Sequence, residues 1–361
     1  MSDGQRLQEI RAHIDSLDEQ IQRLISERAM AAKEVAKIKL SQDPDALFYR
    51  PEREADVLRR LKARNSGPLD DETVARLFRE IMSACLALEK PLEVAFLGPE
   101  GTVTQAAALK QFGHAVNTVS LGSIPDVFRD VESATCHYGV VPVENSTEGV
   151  ISHTLDMFMR SSLRICGEVT LRIHHHLLSR MDALSKLRRV YSHQQSLAQC
   201  RGWLDRNAPH VERIAAGSNA EAARLAGAED ASAAIAGEAA GEIYGLGILA
   251  GNIEDEPDNT TRFLVIGKQD AQPSDRDKTS LLLACHNEAG GLHALLTPFS
   301  KHGISMTRIE SRPSRTSLWE YVFFIDIEGH RNNPRIAEAF KILKKETKLF
   351  KVLGSYPVAV L

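Results

Sequence analysis

The hydrophobic pattern of the first part of the chain is helical. Apolar side chains recur at three- and four-residue steps between residues 5 and 40, a stretch without glycine or proline, and this spacing predicts one long amphipathic helix. Pro44 breaks the pattern, and two further helices are predicted to begin at Pro51 and after Asp70, because proline fits a first turn and a carboxylate caps a helix. Residues 1–91 are therefore predicted to form an all-α domain.

After Pro91 the pattern changes to short apolar runs, which are separated by helical stretches and glycine-rich turns. The predicted strands have the sequences VAFLG, YGVVPV, RRVYS, SAAIAG and FLVIG. This alternation is typical of an α/β domain with a largely parallel sheet. We assign residues 92–270 to this domain.

A polar segment, residues 269–278, has the composition of a linker to a third domain. Beyond it, residues 278–361 give the order strand, helix, strand, strand, helix, strand. That order predicts a small ferredoxin-like α+β domain. The predicted fold class is therefore a multi-domain chain, with an all-α, an α/β and an α+β part.

Composition and charge narrow the classes of function. The formal net charge is -4 with both signs interspersed, which gives no basic stripe for nucleic acid and no polybasic patch for a membrane. No apolar run approaches the ~18 residues of a transmembrane helix. Five scattered cysteines without a CxxC pair are typical of reduced cysteines. We expect a cytoplasmic protein without a cofactor, whose partners are small molecules or protein.

The run His174-His175-His176 resembles a metal site at first sight. Neighbouring residues of a strand point to opposite faces, so at most two of these side chains can bind one ion. We therefore expect no metal there.

The first predicted helix carries spaced cations. Arg28 and Lys39 lie on one stripe of the helix, about 16 Å apart. Arg11 lies about 25 Å from Arg28 along the same axis. One straight helix cannot bring all three to a small dianion, so Arg11 joins such a site only from an antiparallel partner chain. The alternative is that these charges form a solvated face of a helical bundle.

The segment LQEIRAHIDSLDEQIQRLISERAMAAKEVAKIKL, followed by FYRPEREADVLRRL and RLFREIMSACLALEK, closely resembles the all-helical chorismate mutases. Members of that family are domain-swapped dimers, whose arginines and lysine bind the two carboxylates of chorismate and the ether oxygen of its breaking bond. The resemblance implies a chorismate site made of Arg11, Arg28, Lys39, Arg50, Arg53, Glu54, Cys85 and Glu89. Arg50 and Cys85 stand where a relative has an aspartate and a serine.

The reaction that this resemblance implies is a unimolecular rearrangement without a nucleophile or proton transfer. The enzyme has to hold chorismate in a compact, chair-like conformer and to stabilise negative charge on the ether oxygen. Lys39 is the expected donor to that oxygen, and Arg11 and Arg28 are the other catalytic cations. Glu89 stands where the family often has glutamine, so it must be protonated to donate a hydrogen bond.

The α/β domain resembles the prephenate dehydratases over its whole length. Four stretches carry the resemblance, each at the end of a predicted strand: GPEGT (98–102), VPVENSTEG (141–149), YSHQQSLAQC (191–200) and TTRF (260–263). The fold of that family is two α/β lobes around a cleft, and ligands of open α/β sheets bind at such strand ends. The resemblance implies a prephenate site made of Thr102, Glu144, Asn145, Ser146, Thr147, Ser192, Gln199, Thr260, Arg262 and Phe263.

Thr261 stands at the catalytic position of that family. Prephenate must lose its ring hydroxyl group and CO2, so the threonine hydroxyl is expected to donate a hydrogen bond to the departing oxygen. Two roles stay open for Arg262, a carboxylate partner or a buried ion pair, and two for Glu144, a proton source or an anchor behind the site. Val103 replaces a usual aromatic residue, which is expected to change affinity more than activity.

The last domain resembles the amino-acid-binding ACT modules. The resemblance rests on GGLH (290–293) at the start of the first helix and on ESRP (310–313) after the second strand. In dehydratases these stretches bind phenylalanine between paired domains, and His293 is a departure from the usual GALV. The implied effector site consists of Gly290, Gly291, Leu292, Glu310, Ser311, Arg312 and Pro313.

Together the three resemblances imply a bifunctional enzyme of phenylalanine biosynthesis, which converts chorismate to prephenate and prephenate to phenylpyruvate under feedback inhibition by phenylalanine. An even homo-oligomer with a shared mutase site is expected. One alternative is a dehydratase that keeps the helical domain only for dimerisation, but Arg11, Arg28, Lys39 and Glu54 are retained. Another is a non-enzymatic amino-acid sensor, against which the intact TTRF and ENSTEG stretches argue.

Overall fold

A computed structural model describes residues 3–43, 48–147, 149–285, 288–314 and 321–360. Two residues named above lie outside the described residues: Pro44, where a helix break is predicted, and Glu148 of the VPVENSTEG stretch. Among the described residues, no helix has the length and apolar character needed to cross a membrane.

The N-terminal part is all-helical, as predicted. Its helices are α1 (Asp3–Gln42), α2 (Pro51–Arg64) and α3 (Asp71–Glu89). Asp70 caps α3, since its carboxylate accepts a hydrogen bond from the backbone N–H of Thr73 at 2.7 Å. Helices α2 and α3 pack through Leu58, Leu61 and Ala75, whereas the apolar stripe of α1 stays exposed and Ala36 is its one buried residue.

The α/β region consists of two lobes. Its strands are β1 (Glu93–Leu97), β2 (Asn117–Leu121), β3 (Tyr138–Asn145), β4 (Gly149–Val150), β5 (Arg164–Arg172), β6 (His176–Ser179), β7 (Arg189–His193), β8 (Glu212–Ala216), β9 (Ser232–Ala236), β10 (Gly247–Ala250) and β11 (Thr260–Gly267). Its α-helices are α4 (Val103–Phe112), α5 (Ile124–Glu132), α6 (Ser152–Arg160), α7 (Gln194–Gln199), α8 (Arg201–Asn207), α9 (Asn219–Ala228) and α10 (Glu238–Tyr244), and a short 3-10 helix covers Leu184–Lys186.

The two sheets are mixed, so the prediction of a largely parallel sheet is wrong. The first lobe has the order β2-β1-β3-β11-β5, with β4 beside β3, and the second has the order β10-β6-β9-β7-β8. Strand β11 runs antiparallel to both β3 and β5, because the chain leaves the first lobe after β5 and returns to it only in β11. The alternation of strands and helices along the sequence cannot show this return.

The C-terminal part has the predicted element order. Its elements are β12 (Asp277–Ala284), α11 (Gly291–Lys301), β13 (Met306–Pro313), β14 (Tyr321–Glu328), α12 (Pro334–Glu346) and β15 (Leu349–Pro357). They form an antiparallel sheet of order β13-β14-β12-β15. Helices α11 and α12 cover one face through a core that includes Leu295, Phe299 and Phe340.

The other face of this sheet packs on the first α/β lobe. Phe324 and Tyr356 of the C-terminal sheet share a buried cluster with Phe158 and Ile165 of the lobe. The contact is close at Gly354, where an added Cβ would lie 2.1 Å from the carbonyl oxygen of Ile165. A residue with a side chain cannot occupy this position unless one backbone moves.

The helical domain is anchored in the same lobe by one aromatic side chain. Tyr49, which precedes α2, is 3% exposed and contacts the rings of Phe112 and Tyr138 at centroid distances of 4.9 and 5.2 Å. Its hydroxyl oxygen accepts a hydrogen bond from Gln111 Nε2 at 2.8 Å. The segment that leads into α2 is therefore held by the α/β core.

Candidate active sites

The helical domain contains an open cavity of about 320 Å³ between its three helices. Its lining includes seven of the eight residues predicted to bind chorismate: Arg28, Lys39, Arg50, Arg53, Glu54, Cys85 and Glu89. Arg11 is not among the lining residues of this cavity. If Arg11 binds chorismate in the cavity of a second chain, it is expected to lie outside the cavity of its own chain. The cavity is rich in cations, as a site for a dianion requires.

Two acidic side chains lie in this cationic cavity. Burial raises the pKa of Glu89, and Lys39 and Arg28 oppose that shift. Burial also raises the pKa of Glu54, and Arg79 opposes it. Both carboxyl groups therefore keep their protons to a higher pH than an exposed glutamate does.

Arg79 is a functional candidate that the sequence analysis missed. Its Nη1 lies 2.7 Å from Glu54 Oε1, and the same nitrogen donates a hydrogen bond to the carbonyl oxygen of Gln111, in the last turn of α4. The side chain is 6% exposed. The four-residue spacing of Ala75, Arg79 and Ser83 along α3 indicates that Arg79 lies on the buried face of the helix. Glu54 is thus held from behind by an ion pair.

The α/β region places Thr261 beside Asn145. The register of β11 and β3 pairs the two residues, and Asn145 Nδ2 donates a hydrogen bond to Thr261 Oγ1 at 2.8 Å. The threonine hydroxyl is therefore an acceptor towards Asn145, and its own proton points elsewhere. Thr261 is 7% exposed, so its hydroxyl is largely screened from solvent.

The hydrogen-bonded network continues from Asn145 into the second lobe. The same Asn145 Nδ2 donates to Asn259 Oδ1 at 2.8 Å, and Asn259 Nδ2 donates to Gln199 Oε1 at 3.1 Å. Gln199 Oε1 lies 2.8 Å from His175 Nε2, so that nitrogen must carry the proton. Burial lowers the pKa of His175, against smaller opposing effects of Gln199 and Glu254. A neutral imidazole therefore ends the network.

The other two histidines of the 174–176 run make separate contacts. His174 Nδ1 lies 3.0 Å from Glu254 Oε1, and His176 Nδ1 accepts a hydrogen bond from the backbone N–H of Asn252 at 3.2 Å. In the described part of the chain, no group of three or more histidine, cysteine and acidic side chains is arranged to hold a metal ion.

The remaining hydroxyl groups of the predicted prephenate site make local hydrogen bonds. Thr102 caps α4 and donates to the carbonyl oxygen of Leu97 at 3.1 Å, which sets the helix N-terminus at the end of β1. Ser146 Oγ accepts from the backbone N–H of Thr260 at 2.9 Å, and the backbone N–H of Thr147 donates to Asn145 Oδ1 at 3.0 Å. These contacts fix the loop after β3 against the start of β11.

Two predicted prephenate ligands lie in the protein interior. Ser192 is fully buried, with Oγ 2.8 Å from the carbonyl oxygen of Ile235 and 2.9 Å from Asn219 Oδ1. Phe263 is also fully buried and belongs to a core cluster with Val140. Both side chains belong to the packed interior in this structure, and their assignment to the prephenate site stays a prediction.

Arg262 forms an ion pair between domains, which is the second of the two roles left open for it. Its Nε lies 2.8 Å from Glu168 Oε2, its Nη1 lies 2.6 Å from Asp326 Oδ2, and its Nη2 donates to the Tyr356 hydroxyl at 2.9 Å. Burial raises the pKa of Asp326, but Arg262, Ser280 and Arg308 together outweigh it, so the pKa of that carboxyl group is lowered. These contacts support the ion-pair role of Arg262, and its assignment to prephenate binding stays a prediction.

Two more ion pairs join the C-terminal domain to the first lobe. Arg308 Nε lies 3.2 Å from Glu144 Oε2, a contact that supports the anchor role of Glu144 next to Asn145. Arg312 of the ESRP stretch lies 2.8 Å from Asp156 Oδ1. Strand β13 carries both arginines, so it connects the predicted effector residues with the strand that holds Asn145.

The predicted effector residues lie at one end of the C-terminal sheet. Gly290 has a φ of 86° and precedes α11, a left-handed conformation that favours glycine. The pairing of Ser311 with Phe323, and of Phe323 with Leu283, places the ESRP stretch at the same end of the sheet as the start of α11. Leu292 is 42% exposed, so the surface between the two stretches is open.

Comparisons with known proteins match three separate parts of this chain. A family model for prephenate dehydratase matches residues 94–271, a model for chorismate mutase type II matches residues 10–90, and a model for the ACT domain matches residues 279–345. Proteins from Stutzerimonas stutzeri and Pseudomonas aeruginosa, each named bifunctional chorismate mutase/prephenate dehydratase, are 55% identical over 365 residues, which is 100% of both chains. The crystal structure of a prephenate dehydratase from Arthrobacter aurescens in complex with L-Phe superimposes with a TM-score of 0.69 at 32% identity, covering 74% of this chain and 90% of that chain.

Proposed function

The chain belongs to the bifunctional chorismate mutase/prephenate dehydratases, and on this basis we propose how its side chains divide the two reactions. Chorismate is rearranged to prephenate in the cavity of the helical domain. Prephenate then loses CO2 and water in the α/β region to give phenylpyruvate. No atom of the protein is consumed in either reaction, so the side chains act by binding, orientation and hydrogen bonding.

In the mutase site, Arg28 and Arg53 bind the carboxylates of chorismate and Lys39 donates to the ether oxygen. The cationic lining of the cavity supports this assignment. Negative charge grows on the ether oxygen as its bond to carbon breaks, so a fixed ammonium group stabilises the transition state more than the ground state. Protonated Glu89 donates a second hydrogen bond there, which the raised pKa of its carboxyl group favours.

The mutase site is shared between two chains, with Arg11 supplied by the partner. The apolar stripe of α1 supports this dimer, because large side chains along the helix are exposed in the single chain. They include Leu7 at 49%, Ile10 at 50%, Ile14 at 49%, Ile21 at 54% and Leu24 at 58%. An apolar stripe of this length on a soluble enzyme needs a second apolar surface to cover it.

In the dehydratase site, Thr261 donates its hydroxyl proton in a hydrogen bond to the departing ring oxygen of prephenate. One observation carries this proposal: Asn145 donates to Thr261 Oγ1, which leaves the threonine proton as the donor to substrate. As the carboxyl C–C bond breaks, its electron pair enters the ring, and the C–O bond breaks with its electron pair on the departing oxygen. That oxygen leaves as water once it has taken up a proton.

A pair of substitutions tests the role of Thr261. Thr261→Val keeps the shape of the side chain and removes the donor, so prephenate turnover should fall about 100-fold or more, while chorismate turnover by the same chain stays normal. Thr261→Ser keeps the hydroxyl and should retain most of the dehydratase rate. Near-normal dehydration by Thr261→Val would remove Thr261 from the mechanism.

Phenylalanine is the proposed effector of the C-terminal domain. The related dehydratase with bound L-Phe and the ACT match support this assignment, as does the position of β13. This strand carries the 310–313 stretch and also Arg308, whose partner Glu144 precedes Asn145. Addition of phenylalanine to the full chain should therefore lower prephenate turnover, and an unchanged rate at saturating phenylalanine would contradict the proposal.

A cytoplasmic location is also proposed for this enzyme. All five cysteines are free thiols, and four of them are buried, which fits a compartment where disulfides do not form. Burial raises the pKa of Cys166 and Cys200, so these thiols are unreactive.

A further inference from the structure

Asn259 occupies the centre of the polar network between the two lobes. Its side chain accepts a hydrogen bond from Asn145 and donates one to Gln199, and the residue is 2% exposed. Asn145 Nδ2 therefore divides its two N–H groups between Asn259 and Thr261. If Asn259 Oδ1 were removed, one of these donors would lose its partner, and one hydrogen bond fewer would hold the amide of Asn145 in the orientation that faces Thr261.

The backbone of Asn259 lies where the chain crosses between the lobes. The first crossing follows β5 and the second precedes β11. Two backbone hydrogen bonds join the crossings: Ile173 N donates to Asn259 O at 2.8 Å, and Ile253 N donates to His175 O at 2.8 Å. Asn259 is thus held at the hinge by its main chain and bridges the lobes by its side chain.

The acceptor of the second lobe has a fixed orientation. Gln199 Oε1 faces two donors, Asn259 Nδ2 and His175 Nε2. The backbone N–H of Thr147, which can only donate, faces Asn145 Oδ1, so Asn145 presents Nδ2 to Asn259 Oδ1. Asn259 Nδ2 then faces Gln199 Oε1, and His175 donates from Nε2. This backbone donor sets the direction of the bonds from Asn145 to His175.

We propose that Asn259 is a positioning residue for dehydration, which fixes the Thr261 hydroxyl through Asn145 and links its orientation to the relative position of the two lobes. The inference rests on the role proposed for Thr261. Asn259 acts on Thr261 through Asn145, which donates a hydrogen bond to each of them. Its effect is to keep the Thr261 proton directed at substrate, where a shift of about 1 Å is enough to cost about 100-fold in rate.

Asn259→Asp and Asn259→Ala test this inference on the full chain. An ionised aspartate accepts from Asn145 but repels Gln199 Oε1, whereas a protonated aspartate donates to it as asparagine does. The kcat for prephenate should therefore fall about 10- to 100-fold in both variants at neutral pH, with KM little changed. In Asn259→Asp it should recover as pH falls, and in Asn259→Ala it should not.

Chorismate turnover of each variant relative to the wild type at the same pH, together with its thermal unfolding midpoint, separates a loss of folding from a loss of positioning. Asn252→Asp is the matched control, since Asn252 is exposed on the same crossing segment and has a φ of 53°, which aspartate also adopts. Near-normal kcat in both Asn259 variants, or a rise in KM at constant kcat, would overturn the inference. If Thr261→Val also kept its activity, the role proposed for Thr261 would be contradicted as well. If Thr261→Val were inactive, only the inference about Asn259 would be contradicted.

Discussion

Glu89 is the residue whose ionisation decides how the mutase site responds to pH. Burial raises its pKa, and only the protonated carboxyl group can donate to the ether oxygen of chorismate. Mutase activity should therefore be full at low pH and fall as the pH rises through the raised pKa of Glu89. The measurement is kcat/KM for chorismate across pH.

Glu89→Gln should remove this pH dependence, because an amide donates at every pH. The prephenate activity of the same variant is the control and should keep its own profile. A Glu89→Gln profile that still falls at the same pH as the wild type would remove Glu89 from the site.

For single residues, the sequence predicted which side chains line a cavity better than it predicted which residues pair with them. The resemblance to chorismate mutases named seven residues that line one cavity, since a family motif preserves the surface of a site. It could not show that Glu54 pairs with Arg79 or that Arg262 pairs with Asp326. Glu54 and Arg79 meet where α2 packs on α3, and Arg262 and Asp326 meet where two domains pack, so neither pairing follows from a local sequence pattern.

At the scale of elements, β15 and β5 approach so closely that one glycine is required. A Cβ at Gly354 would lie 2.1 Å from the carbonyl oxygen and 2.8 Å from the backbone nitrogen of Ile165. Helix periodicity and short apolar runs predicted the three N-terminal helices and five of the eleven strands described in the α/β region, but such a contact between strands of different sheets has no local pattern. The same holds for β11, whose antiparallel pairing depends on a return of the chain from the second lobe.

Gly354→Ala should separate the C-terminal sheet from the first lobe. The clash is with backbone atoms, so one strand must shift, and we expect a loss of about 1–3 kcal/mol of stability together with faster proteolysis of the segment between β11 and β12. Gly122→Ala is the matched control, because an added Cβ at Gly122 meets no atom within 4 Å. Thermal unfolding and limited proteolysis measure both effects, and equal behaviour of the two variants would contradict the contact.

At the scale of the whole molecule, ion pairs join the C-terminal domain to the strands that carry the predicted dehydratase residues. Arg262 follows Thr261 in β11 and pairs with Asp326, and Arg308 pairs with Glu144 in β3. The sequence predicted three domains and their order, because a helical pattern, an alternation of strands and helices, and a polar segment before the last domain follow one another along the chain. It did not predict these contacts, since ion pairs between domains leave no periodic signal.

Asp326→Asn tests the ion pair that joins the domains. Asp326 is 4% exposed, so its loss leaves Arg262 with one carboxylate fewer in a buried site and should cost about 3–5 kcal/mol. The pKa of Asp326 is lowered in the folded protein, so its contribution is full above the ordinary carboxyl pKa of about 3.9 and is lost as pH falls through the lowered value. The difference in thermal midpoint between wild type and variant should therefore shrink in acid.

Glu338→Gln is the control for this experiment, because Glu338 forms an exposed pair with Lys341 on α12. It should unfold like the wild type at every pH. A variant Asp326→Asn that is as stable as this control at neutral pH would show that the ion pair does not hold the domains together.

We propose that this one chain carries two independent active sites. A reciprocal pair of variants tests the proposal. Chorismate and prephenate consumption are measured separately for the wild type, Lys39→Met and Thr261→Val. Lys39→Met should lose chorismate turnover by about 100-fold or more and keep dehydration, and Thr261→Val should do the reverse. If either variant lost both activities while still folded, or kept the one assigned to it, the division of the two reactions between these sites would be contradicted.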